Sequence, residues 1–421
     1  MKRPRLLYLS PVMPAPSGSG LAMRAFHNLR ALATDHDVWL QVIPHSPRVA
    51  AAGSELRRMC QAISVLPLRI PGDTRALLGL VLARARPRHR PRAFVRPPEL
   101  RALSPRRIRS ASQHFAGIPF DVIHVFRLYL APYGFAHRSQ GAAAQAGKTQ
   151  ARLQLDLDDV ESGTRRSISD CHRARGETAA AASLEREEKL YHRLEARWLP
   201  RFDRVFVCSR VDQDRVLESA QPTPVQVVPN IATPGTGYLP GRPGADPFVL
   251  LFVGSLGYGP NRDGLSFLLE GVLPVLRARA CRPFRIEIVG GGLGLWQRWR
   301  LARLPEVTVR GAVAGLNALY RRSNAALVPI RAGGGTRIKA IEAMAHGVPV
   351  VSTTVGIEGL TPRPDVEVLI GDTGSAIADQ CCRLMTDPTL GDRIARAASA
   401  YVAREHTAAV VCAALSGRAD P

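Results

Sequence analysis

Residues 331–350 read RAGGGTRIKAIEAMAHGVPV. An apolar run at 325–329 precedes them and another, at 348–352, closes them, so the order is strand, glycine loop, helix, strand. Gly333, Gly334 and Gly335 allow positive φ and let the backbone approach a ligand closely. Thr336 is the expected N-cap of the helix. The amides of Thr336, Arg337 and Ile338 are then aimed at the loop, which is how a helix start holds an anion. Arg337 and Lys339 add positive charge beside it. Glu342 stands at the edge of the apolar face formed by Ile338, Ile341 and Ala345, where a carboxylate can accept from both hydroxyls of a ribose. The same spacing also fits a plain Lys339–Glu342 ion pair on a solvated face. A nucleoside diphosphate suits the constellation as a whole.

The grammar of strand, loop and helix continues outward in both directions. Residues 248–253, 285–289 and 307–309 read as strands, the first ending in Gly254 and Ser255 and the second in three glycines. Upstream, 6–10, 38–43, 121–125, 153–157, 203–209 and 225–229 read as strands. The loop at 14–20, with Gly18 and Gly20, leads into a helical pattern through Leu21, Ala25, Leu29 and Leu32. A long helical pattern spans 177–199. Strands alternating with helices imply parallel sheets in an α/β chain. A Pro- and Gly-rich stretch at 233–247 is the expected linker. It separates an N-terminal domain, 1–232, from a C-terminal one, 248–394, with a final helical segment at 395–421. A chain of 421 residues, 46% hydrophobic, is long enough and apolar enough to fill two cores.

Net charge is +22, and all but four of the 57 basic residues are arginine. That composition fits mutational bias, and it also fits an acidic partner. Residues 75–109 hold eleven arginines against few acids, with prolines that forbid one continuous helix. A short amphipathic helix and a basic stretch are expected there, able to dock on an anionic membrane surface. Seven cysteines without metal spacing, no signal-like start and no apolar run long enough to span a bilayer point to a cytoplasmic protein, peripheral at most on the inner face of the plasma membrane.

Several segments together resemble the retaining glycosyltransferases of family 4, also called group 1: DRVFVCS (203–209), VQVVPN (225–230), LFVGSL (251–256), IEIVGGG (286–292), VTVRGAV (307–313) and GGGTRIKAIEAMAHGVPVVST (333–353). The resemblance implies a GT-B fold, two Rossmann-like doubly wound domains facing an interdomain cleft. A nucleotide-diphosphate sugar, UDP or GDP, would lie on the C-terminal domain and an acceptor on the N-terminal one. It implies retention of configuration, no metal, and a C-terminal helix, here 395–415, crossing back to the first domain. A glycan or lipid-linked intermediate of cell-surface polysaccharide synthesis is the expected acceptor.

Carried over residue by residue, the donor set is Gly18, Gly20, Gly254, Ser255, Gly333, Gly334, Gly335, Thr336, Arg337, Ile338, Lys339 and Glu342. Arg337, Lys339 and His124 are the expected catalytic residues. His124 matches the first member of a His-x-His pattern whose second position holds Phe126; a satisfied core histidine is its plainer reading. The family often carries two glutamates eight positions apart; the second matches Glu342 and the first falls on Gly334. Its Arg and Lys after the FVG strand are replaced by Ser255 and the insert at 257–263, so Arg337 and Lys339 substitute, with Arg262 a further candidate.

Arg127, Asp158 and Asp159 are acceptor-side candidates at the end of a strand. The run 156–161 also contains an Asp-x-Asp pair of the metal type, too short a motif to be specific, and its acids could equally pair with Arg165 or Arg166. The rival function is a non-catalytic, basic nucleotide- or nucleic-acid-binding scaffold of the same fold. An oxidoreductase is disfavoured by the absence of a GxGxxG with a following acid, and an epimerase would need base carboxylates.

Overall fold

The computed structural model describes residues 2–46, 49–68, 97–101, 103–144, 150–219, 223–231, 235, 237, 246–313 and 315–416. The basic stretch at 75–96 and most of the expected linker at 233–247 lie outside the described residues. The chain forms two compact units. One comprises Met1–Pro16, Gly20–Val228 and Val411–Pro421, and the other Ser17–Ser19 and Pro229–Val410.

The first unit is built on seven strands: β1 (Arg5–Ser10), β2 (Asp37–Val42), β3 (Cys60–Val65), β4 (Val122–Phe126), β5 (Arg152–Asp156), β6 (Arg204–Val207) and β7 (Val225–Val227). They lie in the order β3-β2-β1-β4-β5-β6-β7, and every pairing is parallel. The strands at the centre are buried along nearly their whole length, as a sheet covered by helices on both faces requires. Helix α1 (Gly20–Leu32) crosses over after β1; α2 (Glu161–Ala174) and α3 (Thr178–Trp198) pair between β5 and β6.

The second unit repeats the plan with six parallel strands: β8 (Phe248–Val253), β9 (Phe284–Val289), β10 (Val307–Gly311), β11 (Ala325–Val328), β12 (Val350–Ser352) and β13 (Leu369–Ile370), ordered β10-β9-β8-β11-β12-β13. Alternate residues of β8 serve opposite faces. Leu250 and Phe252 enter one core with Leu268, Leu276 and Ile377, whereas Leu251 enters the other with Ile341, Met344 and Tyr401. Helices α4 (Gly259–Phe267), α5 (Leu295–Ala302) and α6 (Ile338–Ala345) follow β8, β9 and β11.

In both sheets the strand order reverses direction between the first and fourth strands of the unit. A crevice forms there because successive crossovers leave in opposite directions, and it is where ligands bind in this architecture. The loops at the C-terminal ends of β8 and β11 flank that point in the second unit. Two glycines show how tightly the neighbouring loop packs. A Cβ on Gly290, which has φ +147°, would lie 1.9 Å from the Gly254 carbonyl oxygen, and one on Gly292 would lie 2.3 Å from the Gly257 nitrogen.

The helix expected at 395–415 is two helices, α7 (Pro388–Glu405) and α8 (Ala408–Ser416). They part at His406, whose Nδ1 lies 2.7 Å from the Asn230 carbonyl oxygen. Among the described residues no helix is long and apolar enough to cross a membrane.

Candidate functional site

In the second unit, β11 runs into a loop whose turn is set by Gly333 (φ +127°) and Gly335 (φ +64°). An L-side chain rarely adopts either conformation. Arg337 is extended (φ −89°, ψ 90°) and is itself the N-cap, so α6 starts at Ile338. This corrects the expected cap at Thr336. The Thr336 Oγ1 instead accepts from the Asn230 side chain at 2.7 Å, which ties the loop to the VPN segment. The amides of the first turn therefore belong to Ile338, Lys339 and Ala340, and that of Ala340 donates to the Arg337 carbonyl. The buried face of α6 also differs from the expected one, running through Ala340, Ile341, Ala343 and Met344.

The extended Arg337 turns its side chain back under the loop. The residue is 8% exposed. Its Nη1 donates to the carbonyl oxygens of Gly334 and Gly335. Nε and Nη2 are buried with no hydrogen-bond partner. A guanidinium removed from water with two unpaired nitrogens is costly, and a charge-assisted bond to an anion is what would relieve it.

Lys339 lies one turn into α6. Its Nζ donates to Asn261 Oδ1 at 2.6 Å, and the Asn261 Nδ2 donates to the Ser255 carbonyl at 2.9 Å. The Asn261 amide also packs against Gly254, where a Cβ would come within 2.9 Å of it. The two loops at the switch point are thus joined through one asparagine, a residue the sequence did not single out. Burial, reinforced by the Arg337 charge, lowers the Lys339 pKa to about 7, with Glu342 opposing. Burial likewise raises Glu342 to about 7, opposed by the Tyr320 hydroxyl and Lys339. The Tyr320 hydroxyl donates to Glu342 Oε2 at 3.5 Å, and no ion pair joins Lys339 to Glu342. Arg262 is on the exposed side of α4.

In the first unit, the ends of β4 and β5 carry a charged cluster. Arg24 of α1 is fully buried; its Nη2 lies 2.8 Å from Asp156 Oδ1, and its Nη1 donates to the Val228 carbonyl. Asn28 donates to Asp156 Oδ2. Arg127 (φ +80°) and Asp158 (φ +57°) both hold left-handed backbone, an unfavourable state for non-glycine residues that the surroundings must impose. Arg127 Nη1 donates to Asp158 Oδ2 at 3.0 Å and its Nη2 pairs with Glu161, while Arg127 Nε is buried and unpaired. Arg165 pairs with Glu161 and Glu187, and Arg166 with Glu188.

The acids at 156–161 are therefore engaged largely by Arg24, Arg127 and Arg165. Both oxygens of Asp156 are taken, which leaves the Asp-x-Asp pair no open ligand there. Among the described residues no group of three or more His, Cys, Asp or Glu could hold a metal ion. Asp159 accepts from the Thr164 hydroxyl, and burial followed by the Glu161 charge raises its carboxyl to about 7. Burial also raises Asp158, against the pull of Arg127 and Arg24. Gly18 has φ +110°, with open space where a Cβ would sit, and Gly20 begins α1.

His124 is mid-strand in β4 and 0% exposed, stacked 4.9 Å from the Tyr8 ring and 5.8 Å from that of Phe206. Neither ring nitrogen has a partner. Burial lowers its pKa to about 4. The structure thus places His124 among core rings, the plainer of the two expected readings.

His124→Phe should therefore fold and keep donor binding within about twofold. The folded pKa lies below the unfolded value, so the unfolded chain takes up the proton first and stability falls as pH drops from about 6.5 to about 4. The variant should lose about 1–3 kcal/mol of that acid sensitivity. Urea melts at neutral pH and at about pH 5 measure it; unchanged acid sensitivity would refute the assignment.

Residues 247–387 match the family model of glycosyl transferases group 1. A search of curated proteins found no match. Among solved structures, the chain is similar to sucrose-phosphate synthase from Thermosynechococcus elongatus, with a TM-score of 0.70 and 16% identity over 98% of each chain. It is similar to Anabaena HepE in complex with UDP-glucose, with a TM-score of 0.61 and 14% identity over 98% of each. It is also similar to the lipopolysaccharide outer core galactosyltransferase WaaB, with a TM-score of 0.57 and 11% identity over 99% and 100%. At these identities the structures establish the fold, GT-B. The match to the group 1 family model falls on the part of the chain that carries Arg337 and Lys339.

Proposed function

We propose that this chain transfers a glycosyl unit from a nucleoside diphosphate sugar, with UDP or GDP as the nucleotide, to a glycan or lipid-linked acceptor of cell-surface polysaccharide synthesis, retaining the configuration at the transferred carbon. The observation that carries the reading is the buried Arg337, two of whose nitrogens lack a partner beside a glycine loop at a sheet switch point.

Breaking the sugar C1–O bond builds negative charge on the leaving diphosphate. Donors already fixed at that position stabilise the transition state without reorganising. Arg337, Lys339 and the amides of Ile338 and Lys339 supply them, so the reading requires no metal. Glu342 takes the ribose hydroxyls, and Gly254 and Ser255 let the donor lie close to the first loop. Arg127, Asp158 and Asp159 serve the acceptor. Structures similar in fold were solved with UDP and with UDP-glucose, and one, a TarM mutant, with Fondaparinux, α-GlcNAc-glycerol and UDP. The basic residues at 75–109 would bring a lipid-linked acceptor's membrane close.

A thermal-shift screen of UDP-, GDP- and ADP-sugars tests the reading: one nucleotide class should stabilise the protein, by about 2.7 kcal/mol at a hundredfold excess over Kd. Stabilisation by duplex DNA alone, with no response to any sugar nucleotide, would overturn it.

The same site sets a pH dependence. A bound diphosphate favours protonated Lys339, whose pKa in the free protein is about 7, so affinity should fall by up to about tenfold per unit as pH rises above 7. Glu342 must be ionised to accept from ribose, so affinity should also fall below its pKa of about 7. Calorimetric titration of UDP from about pH 6 to about pH 9 should give an optimum near neutrality, and Lys339→Met should abolish the alkaline limb. A flat profile would remove both residues from the site.

A further inference from the structure

Helix α5, Leu295–Ala302, leaves its outer face uncovered. Leu301 is its one buried residue, while Leu295 is 87% exposed, Trp296 63% and Trp299 51%. Other exposed large apolar residues among those described stand at separate places in the chain; here three fall within five consecutive positions. Positions 295, 296 and 299 share one side of the helix by its period.

Arg300 and Arg303 border the two indoles, while the exposed Arg298 reaches toward Gly311. The Arg300 guanidinium lies 5.0 Å from the Trp296 ring centroid and that of Arg303 lies 3.4 Å from the Trp299 centroid. No acid occurs between Gly290 and Glu306, and among the described residues Arg298, Arg300 and Arg303 make no ion pair. Other exposed arginines of the unit do find acids: Arg310 and Arg322 both pair with Glu287, and Arg277 pairs with Glu306.

We infer that α5 docks this unit on an anionic lipid bilayer, with Leu295, Trp296 and Trp299 entering the boundary between headgroups and acyl chains and Arg298, Arg300 and Arg303 paired with lipid phosphates. That boundary offers in one place what the helix presents: an apolar layer for the leucine and the indole bodies, hydrogen-bond acceptors for the indole N–H, and negative charge within reach of arginines whose stems lie along the rings. An apolar protein surface would strand three unpaired cations. A nucleic acid would satisfy the arginines and leave Leu295 in water. The inference concerns a surface separate from Arg337 and Lys339 and stands whether or not the donor reading holds.

The test is sedimentation of the full chain with vesicles of phosphatidylcholine plus phosphatidylglycerol, against phosphatidylcholine alone, with tryptophan emission recorded alongside. The wild type should sediment with the anionic vesicles and shift its emission to the blue. Trp296→Ala/Trp299→Ala should bind them about tenfold more weakly and lose the shift. Arg300→Glu should weaken binding about fivefold or more. These residues are exposed, so folding and UDP binding should be unchanged. A double variant that binds like the wild type, as expected if residues 75–96 alone hold the membrane, overturns the inference. So does a wild type that ignores anionic vesicles and binds a protein or nucleic acid through α5 instead.

Discussion

Arg337→Ala should lower kcat/KM for the sugar nucleotide by about 10²–10³-fold, the cost typical of removing one preorganised donor from a developing oxyanion. The expectation rests on what this guanidinium already does and does not bond. Nη1 fastens the loop by way of Gly334 and Gly335, while Nε and Nη2 are held out of water without partners. Without ligand those two nitrogens are a liability, so the alanine variant should melt no lower than the wild type and could melt higher, as sites that trade stability for function do. Arg337→Lys should recover little, because one ammonium cannot both brace two carbonyls and present a fork to a diphosphate. Activity lost together with a much lower melting temperature would mean that Arg337 is structural. Activity retained would remove it from the donor site.

The second large effect concerns the other unit. Arg24→Met should destabilise the protein by about 3–5 kcal/mol, because it leaves the Asp156 carboxylate buried with Asn28 and the Asp158 amide as its remaining donors. That is a large part of the stability of a typical domain. The loss should come from the orphaned charge, so Arg24→Met/Asp156→Leu should recover much of it. Urea denaturation measures both. A single variant within about 1 kcal/mol of the wild type would show that water reaches Asp156 and that the cluster is solvated. Because Arg24 also holds the Val228 carbonyl, full recovery is not expected.

The parallel strands were legible because a sheet covered on both faces needs unbroken apolar runs; LLYL, VLLF and AALV announce themselves in that way. Strand β3, CQAISV, did not, since it is an edge strand and half-buried along most of its length. Helix α2 was missed for a different reason. Its buried positions are Glu161, Thr164 and Ser169, so it packs by polar contacts and shows no apolar stripe.

At the site, the glycine loop, the two cations and Glu342 were readable from local spacing alone. The cap was misplaced by one residue, because the extended backbone of Arg337 serves the buried guanidinium, and local propensity favours threonine at such a position. Asn230 and Asn261 lie 106 and 78 positions from the residues they hold, and nothing in the local sequence carries that pairing. His124 left two readings open because a histidine at a strand end reads as reactive, whereas its partners, Tyr8 and Phe206, come from other strands.

The central claim is that the Arg337 loop seats a diphosphate, and a crystal structure of the protein with bound UDP tests it most directly. The account predicts diphosphate oxygens within about 3 Å of Arg337 Nε and Nη2 and of the Ile338 and Lys339 amides, with the ribose hydroxyls on Glu342. A nucleotide bound elsewhere, with Arg337 still unpaired beneath its loop, would contradict it.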